Sequence, residues 1–403
     1  MSVDSASLVV GVPKETFPGE CRVAIVPATI ASLKKAGCEV FIETGAGERA
    51  EFPDSEYRDQ GATIAASRSE VFSKADVLLQ VRAGAANPEA GREDFELLRS
   101  GQTVIAACDP LTDPQLMAEL AARGVNSYSL ELLPRITRAQ SMDILSSMAM
   151  IAGYKAVLLA ANTLPRMFPM MMTAAGTLTP AKVFIVGAGV AGLQAISAAR
   201  RLGAVVQAYD IRPAVKEEVQ SLGAKFLELE LETNSEGQSG GYAKQMDEAF
   251  YTKQREMMTQ TIAGSDVIIT TAAVPGKKAP TLVTAEMMAG MKPGSVVVDI
   301  AAERGGNCEL TKPGETVVEN GVTILGPTNL PSEVANHASQ LFSKNVSTLL
   351  LLMVSEGQFQ PDFEDEIVSG TAVTQNGEVV HPMVRELLGL ESKQETSEPA
   401  HEG

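Results

Sequence analysis

The sequence predicts an α/β fold with two doubly wound parallel sheets, joined by long helices and with a cleft between them. Short apolar runs alternate with helical stretches twice in the 403 residues, before about residue 124 and again from residue 182. This alternation is typical of parallel sheets covered by helices on both faces. Two long helices, predicted at residues 140–162 and 331–354, lie between the two sets and after the second.

The first set contains five predicted strands, which are short, apolar and rich in β-branched residues. In chain order they are LVVGVP, RVAIVP, CEVFIET, ADVLLQV and QTVIAAC. The second set has about six, namely KVFIVG, AVVQAYD, AKFLEL, DVIITTA, SVVVDIA and VTILG. The helix at 331–354 follows the completed second sheet, so we expect it to return to the first domain. The predicted domains are 1–140 with 330–360, 141–329, and an acidic, flexible tail at 361–403.

Composition excludes several classes of function. The net charge is −17, aromatic residues make up 4% and tryptophan is absent, which argues against binding nucleic acid or an anionic bilayer. Four separated cysteines and three scattered histidines indicate neither a disulfide framework nor a metal centre. The N-terminus does not resemble a signal peptide, and the apolar run at 348–354 is too short for a membrane span. A soluble, cytoplasmic protein is expected.

The segment VFIVGAGVAGLQAISAARRLGAVVQAYD is the most specific motif. Its GxGxxG pattern follows a predicted strand, begins a helix and precedes a strand that ends in an acid, which is the context of a Rossmann-like dinucleotide site. Gly187 allows a tight turn, Gly189 lets the backbone approach a pyrophosphate, and Gly192 lets the helix pack closely on the strand. Val190 and Ala191 add free N–H groups at the helix N-terminus.

The strand after the motif ends at Asp210, which is placed to accept hydrogen bonds from the adenosine ribose. A carboxylate there repels a 2′-phosphate, so NAD(H) is predicted in preference to NADP(H). Ile211 follows in the same loop, and the nearby charge of Arg212 weakens this preference without reversing it.

Two further segments are candidates for contact with the dinucleotide. Residues after the strand DVIITTA, at its carboxyl end, are predicted to lie near the nicotinamide half; they are Thr271, Ala272, Pro275, Gly276 and Lys277. A solvated loop is the alternative. The glycine-rich stretch that contains Gly241 and Tyr242 indicates a lid that closes on the ligand, or else a surface loop.

A polar cluster precedes the first long helix, in PRITRAQSMDILSSM. At helical spacing, Gln140, Asp143 and Ser146 are successive neighbours on its first turns. A helix cap with surface salt bridges is the alternative to a binding role.

GVPKETFPGECRVAIVP, the glycine motif and VDIAAERGGN together resemble the alanine dehydrogenase and transhydrogenase family. PRITRAQSMDILSS is similar to the nicotinamide-contacting loop of the NAD(H)-binding component of proton-translocating transhydrogenases. The resemblance places the contacts on Arg135, Gln140, Asp143 and Ser146, with Arg135 and Asp143 as partners of the carboxamide or of each other. It also places the mobile-loop tyrosine at Tyr242.

The resemblance implies hydride transfer from NADH to NADP⁺ held on a partner component, coupled to proton translocation by a membrane component. It also implies a homodimer at the cytoplasmic face of the membrane. An alanine dehydrogenase is the alternative, but its lysine and histidine fall on segments that here carry Gln80, Arg82, Cys108 and Asp109. A non-catalytic NAD(H) sensor is a third hypothesis.

Overall fold

The structure, a computed structural model, describes residues 7–228, 248–273 and 276–391, with backbone only for 248–251. The chain divides into two compact units, Met1–Ser147 with Ser332–Gly403, and Met148–Pro331. The first unit is discontinuous, and its first segment ends after Ser147 where the sequence predicted residue 140.

Strands alternate with helices through most of the described chain. The strands are β1 (Leu8–Val12), β2 (Cys38–Glu43), β3 (Thr63–Ala65), β4 (Val77–Arg82), β5 (Thr103–Ala107), β6 (Asn126–Ser129), β7 (Met171–Thr173), β8 (Gly176–Leu178), β9 (Lys182–Val186), β10 (Val205–Tyr209), β11 (Lys225–Phe226), β12 (Val267–Thr270), β13 (Val296–Asp299), β14 (Thr316–Glu319), β15 (Val322–Leu325), β16 (Val354–Ser355), β17 (Gln358–Phe359), β18 (Ala372–Gln375) and β19 (Glu378–Val379).

The helices cover both sheets. They are α1 (Pro27–Lys35), α2 (Asp54–Asp59), α3 (Arg68–Lys74), α4 (Ala90–Asp94), α5 (Pro114–Ala122), α6 (Ile144–Thr163), α7 (Val190–Arg201), α8 (Lys216–Ser221), α9 (Glu248–Ala263), α10 (Ala285–Met288), α11 (Ala335–Leu352), α12 (Glu366–Thr371) and α13 (Pro382–Leu387).

The sheet of the first unit has the described strand order β19-β18-β6-β5-β4-β1-β2-β3. Strands β1 to β6 pair in parallel, and β18 joins β6 antiparallel. The direction of winding reverses between β1 and β4, which makes this the topological switch point, where ligands bind in open α/β sheets.

The segment RVAIVP is not a strand, as the sequence had predicted, although its valines and Ile25 are buried. Serine side chains of α11 satisfy its backbone instead. The Ser339 and Ser343 hydroxyl oxygens accept from the amides of Val23 and Val26, at 3.0 and 3.1 Å. Because these serines are four residues apart, they present one helix face to the extended segment.

The prediction of a flexible tail at 361–403 is wrong for residues 361–391, which form α12, β18, β19 and α13. Val373 and Val384 are fully buried in the core of the first unit. The acidic composition concealed an Asn-Gly hairpin signal: Asn376 and Gly377 both have positive φ, 50° and 85°, as a type I′ turn requires. Residues 392–403 lie outside the described part of the chain.

The sheet of the second unit has the described order β11-β10-β9-β12-β13-β15-β14, with its switch point between β9 and β12. The strands are parallel except β14, which the sequence did not predict. Alternate residues of β9 face opposite cores: Val183 and Ile185 pack with α6 and α7, and Phe184 packs with α9 and α10. The predicted class, two doubly wound parallel sheets, is confirmed in each unit.

Helix α6 begins at Ile144, four residues later than predicted, because Asp143 has an extended backbone (ψ 97°) and ends a preceding 3₁₀ turn. By length and a mean hydropathy of 1.7 it could cross a membrane, and 39% of its apolar window is buried, less than the sequence suggested. Ala152, Ala156 and Ala160 pack in the core of the second unit, as in the core helix of a soluble protein.

Candidate functional site

The glycine motif forms a tight turn between β9 and α7, at the switch point of the second sheet. Gly187 has φ +101°, which favours glycine, and a Cβ there would lie 2.5 Å from Thr271 Oγ1. A Cβ on Gly192 would lie 1.9 Å from the Gly187 carbonyl oxygen. These glycines therefore bring the helix and the neighbouring strand ends close together, as the sequence predicted.

The mouth of the turn is open. A Cβ on Gly189 would meet only Arg212 Nη2, at 4.0 Å. Gly189 is the N-cap residue of α7 and supplies no side-chain cap, and Val190 beside it is 44% exposed. A twelve-residue helix thus presents its N-terminal dipole and uncapped N–H groups to solvent, beside an open cradle of the kind that a pyrophosphate fits.

Helix α6 supports the turn from behind. A Cβ on Gly153 would lie 2.1 Å from the Ala191 carbonyl oxygen, so α6 and the first turn of α7 are in backbone contact. Sequence reasoning did not single out Gly153, which lies inside an apolar helix.

Asp210 ends β10 at the side of the turn, as predicted. One carboxylate oxygen accepts from the Ala188 amide at 2.8 Å, and Arg212 makes two side-chain hydrogen bonds to the carboxylate, both 3.0 Å. Burial raises the pKa of this carboxyl, but the bonds from Arg212 and the two backbone amides outweigh it, and the pKa lies below its usual value. Arg212 and Ile211 are exposed, so Asp210 stays charged beside a solvent-facing partner.

The residues after β12 lie beside the glycine turn. The Thr271 hydroxyl donates to the Gly187 carbonyl at 3.1 Å, and Ala272 follows, half-buried. Gly276 has φ +67° and Lys277 is exposed. Pro275, Gly241 and Tyr242, which the sequence also predicted as contacts, lie outside the described residues.

The loop after β13 contains two buried polar side chains, Asp299 and Asn307, both 0% exposed. The Asp299 carboxylate accepts from the Thr270 and Thr311 hydroxyls and from the Ala301 and Cys308 amides. Sequence reasoning noticed Asp299 but not Asn307; the available signal was an Asp and an Asn that bracket two glycines after a strand.

The polar cluster of the first unit is only partly assembled as predicted. Asp143 is the N-cap of α6: its carboxylate accepts from the Ser146 amide at 2.9 Å and the Ser146 hydroxyl at 2.5 Å. Arg135 and Gln140 are exposed, and Gln140 lies on the 3₁₀ turn before the helix. Among the described contacts, no hydrogen bond or ion pair joins Arg135 to Asp143.

Two neighbouring elements hold this loop in place. The Asn345 amide of α11 donates to the Ser141 carbonyl at 2.8 Å. Arg138 forms a two-pronged ion pair with Asp365, both bonds 2.6 Å. Asp143 and Ser146 thus satisfy each other as a helix cap, while Arg135 and Gln140 extend into solvent from a fixed backbone.

The switch point of the first sheet contains the chain's own charged groups. The Glu15 carboxylate accepts from the Val81 and Arg82 amides at 2.6 and 3.2 Å. Burial, together with the charge of Glu20, raises the pKa of Glu15 to about 8. Glu20 itself pairs with Arg22 through two bonds, 2.7 and 2.6 Å.

The groups at the positions where an alanine dehydrogenase would carry its lysine and histidine are also in use. The Gln80 amide donates to Asp94 at 3.2 Å, and the Arg82 guanidinium lies 4.3 Å from the Phe17 ring centre. The amides of Cys108 and Asp109 donate to the Glu131 carboxylate.

Comparison with known proteins places both units in one family. Residues 11–152 match "Alanine dehydrogenase/PNT, N-terminal domain" and residues 156–382 match the C-terminal domain of the same family. A transhydrogenase of Sinorhizobium meliloti has a similar structure, with a TM-score of 0.80, 44% identity, and coverage of 93% of this chain and 99% of that one.

The first of the alpha-subunit chains of the NAD(P) transhydrogenase of Rhodospirillum rubrum is 47% identical over 93% of this chain and 98% of its own length. An alanine dehydrogenase of Methanococcus maripaludis is 29% identical over 94% of this chain and 95% of its own length. The resemblance found in the sequence is thereby confirmed: the chain belongs to the alanine dehydrogenase/PNT family, and it is more similar to these transhydrogenases than to that alanine dehydrogenase.

Proposed function

We propose that this chain is the NAD(H)-binding component of a proton-translocating transhydrogenase. In this proposal it binds NADH and passes a hydride directly to NADP⁺ held on a partner component. The observation that carries it is the open glycine turn, with a charged Asp210 beside it at the switch point of the second sheet. The 47% identity to a transhydrogenase subunit supports the choice within the family.

The residues of the site have binding roles in this reaction. The uncapped N-terminus of α7 would hold the pyrophosphate, and Asp210 the adenosine ribose, with Arg212 displaced toward solvent. The bound dihydronicotinamide supplies the hydride. Because hydride moves directly between two rings, no side chain has to transfer a proton at the reacting carbon. Arg135 and Gln140 are the exposed polar groups proposed to orient the ring, on a backbone that Asp143 and Ser146 hold.

The partners belong to the proposal as well. The second ring would be held by an NADP(H)-binding component, and a membrane component would couple transfer to proton movement. Such an arrangement places the chain peripherally, at the cytoplasmic face of the membrane.

We also propose that the chain is a homodimer, joined through the β7–β8 hairpin. These two strands form a ribbon that pairs with no other described strand, and isolated ribbons are marginally stable. Met170, Met172 and Leu178 are 58%, 78% and 51% exposed, and residues 167–181 carry no charge. Because two copies with a charge of −17 repel each other, an uncharged apolar surface suits a second copy better than other surfaces do.

The test of the proposed function is reconstitution. Membranes of the source organism, stripped of peripheral proteins, are supplied with the purified chain, and reduction of an NAD⁺ analogue by NADPH is followed. Activity that returns only with this chain supports the proposal. An inactive mixture in which the chain still binds NADH would contradict it.

The alternative function, an alanine dehydrogenase, is favoured by the 29% identity to such an enzyme. It predicts NADH oxidation by pyruvate and ammonia with the purified chain alone. The occupied Gln80 and Arg82 side chains argue against it, because an oxo acid needs a free cation for its carboxylate. A spectrophotometric assay without membranes separates the two functions.

A further inference from the structure

The loops after β12 and β13 are joined by one buried side chain. The Asn307 carboxamide accepts from the Ala272 amide at 2.9 Å and donates to the Ala272 carbonyl at 2.8 Å. It donates also to the Pro280 carbonyl at 2.8 Å. One side chain thus pairs with both backbone groups of Ala272, as a neighbouring strand would.

The backbone around Asn307 is equally fixed. Its carbonyl accepts from the Leu282 and Val283 amides at 2.7 and 3.0 Å. The next amide, that of Cys308, donates to the buried Asp299 carboxylate at 2.9 Å. Gly306 before it has φ +81°, and a Cβ there would lie 2.7 Å from Asp299 Oδ2, so the carboxylate and the loop fit closely. Asn307 is therefore anchored before it binds Ala272.

Ala272 and Thr271 form the wall beside the glycine turn. Thr271 is bonded to Gly187, so a displacement of Ala272 would be transmitted to the turn. Because the Ala272 amide and carbonyl are both used by Asn307, this residue offers its methyl group rather than its backbone to a ligand. A ring that must be held to a fraction of an ångström gains from a wall fixed in this way, since displacement by ~1 Å can slow transfer about a hundredfold.

We infer that Asn307 is a positioning residue for the nicotinamide half of the site. This inference rests on the proposed function, because it assumes that the dinucleotide lies in the switch-point crevice with its nicotinamide at the end of β12. Asn307 itself is buried and acts through Ala272.

The test is Asn307→Asp. The carboxylate can still accept from the Ala272 amide, but it cannot donate to the Ala272 and Pro280 carbonyls. We expect the Kd for NADH to rise about tenfold, which is ~1.4 kcal/mol, and hydride transfer in the reconstituted system to fall at least as much. The Kd for ADP-ribose, which lacks the nicotinamide, is expected to change less than about twofold.

Gln102→Glu is the matched control. Gln102 is also buried, and its amide accepts from one backbone N–H and donates to two carbonyls, but it lies in the first unit, before β5. It should lower stability without changing the ratio of NADH to ADP-ribose affinity. If Asn307→Asp does not fold, the neutral Asn307→Ser measures the same ratio.

Equal loss of affinity for NADH and ADP-ribose would overturn the inference, because Asn307 would then only support the fold. Unchanged affinity for both would overturn it also. If the wild-type chain failed to restore transfer while NADH and ADP-ribose binding still separated in Asn307→Asp, the proposed function would fail and the positioning role would stand.

Discussion

At the scale of single residues, side chains that belong to a known motif could be predicted and side chains that fix backbone could not. Gly187, Gly192 and Asp210 follow from a pattern whose spacing has a steric or electrostatic reason at each position. Asn307 bonds to Ala272, 35 residues earlier, and no local pattern announces such a pairing. Asp143 was predicted as a ligand contact, and the structure shows the helix cap that was its alternative.

Asp210 is expected to determine the choice between the two dinucleotides. Asp210→Asn removes the charge that would repel a 2′-phosphate and releases Arg212 from its ion pair. NADH binding should weaken about tenfold, since hydrogen bonds to a charged group contribute ~1.5–3 kcal/mol, and NADPH binding should strengthen. Nicotinamide fluorescence titration gives both constants. The exposed Glu217→Gln on α8 should change neither, and an unaltered ratio in Asp210→Asn would refute the assignment.

Glu15 makes the stability of the first unit depend on pH. Its pKa is about 8 in the folded chain against 4.5 as a reference, so the folded state holds a proton that the unfolded state has lost. The stability that Glu15 contributes is present below pH 4.5 and is lost as the pH rises toward 8, by at most ~1.4 kcal/mol per unit.

Urea unfolding at about pH 6, 7 and 8 measures this dependence. Glu15→Gln cannot ionise, so its stability should fall less over that range than that of the wild type. Glu56→Gln on the surface of α2 should follow the wild type. Parallel curves for wild type and Glu15→Gln would show that Glu15 does not titrate there.

At the scale of elements, prediction succeeded where apolar residues recur regularly and failed where tertiary contacts decide. Strand β6 reads Asn-Ser-Tyr-Ser and was missed, because its polar groups are satisfied only across the sheet: Ser127 bonds to Thr374 of β18 at 2.8 Å. RVAIVP looks like a strand but has α11 as its partner. Helix α6 was placed correctly in type but not at its start, which Asp143 sets.

The contact between α6 and α7 predicts the effect of Gly153→Ala. Alanine favours the helix by up to ~1 kcal/mol over glycine, but its Cβ would overlap the Ala191 carbonyl, and overpacking of this kind costs ~1–3 kcal/mol. The clash should prevail, so thermal stability and NADH affinity should both fall. Gly264→Ala is the control, because its Cβ would meet nothing closer than 3.5 Å. A more stable variant with unchanged NADH binding would disprove the contact.

At the scale of the whole molecule, the exposed hairpin predicts the oligomeric state. Met172→Asp puts a charge on the β7–β8 ribbon and should convert a dimer into a monomer, as measured by light scattering after gel filtration. Val318→Asp, on β14 and 64% exposed in the wild type, should remain dimeric. A monomeric wild type, or a dimeric Met172→Asp, would remove the hairpin from the interface.

The antiparallel pairing of β18 with β6 has a consequence for synthesis. The bonded residues Ser127 and Thr374 are 247 positions apart, so at ribosomal rates β6 waits on the order of 10 to 50 s for its neighbour. During that time the contiguous second unit can fold completely, while β6 stays an open edge of the nascent first sheet. A polar strand is suited to that wait, because a newborn edge of asparagine and serines recruits other chains less readily than one of valines.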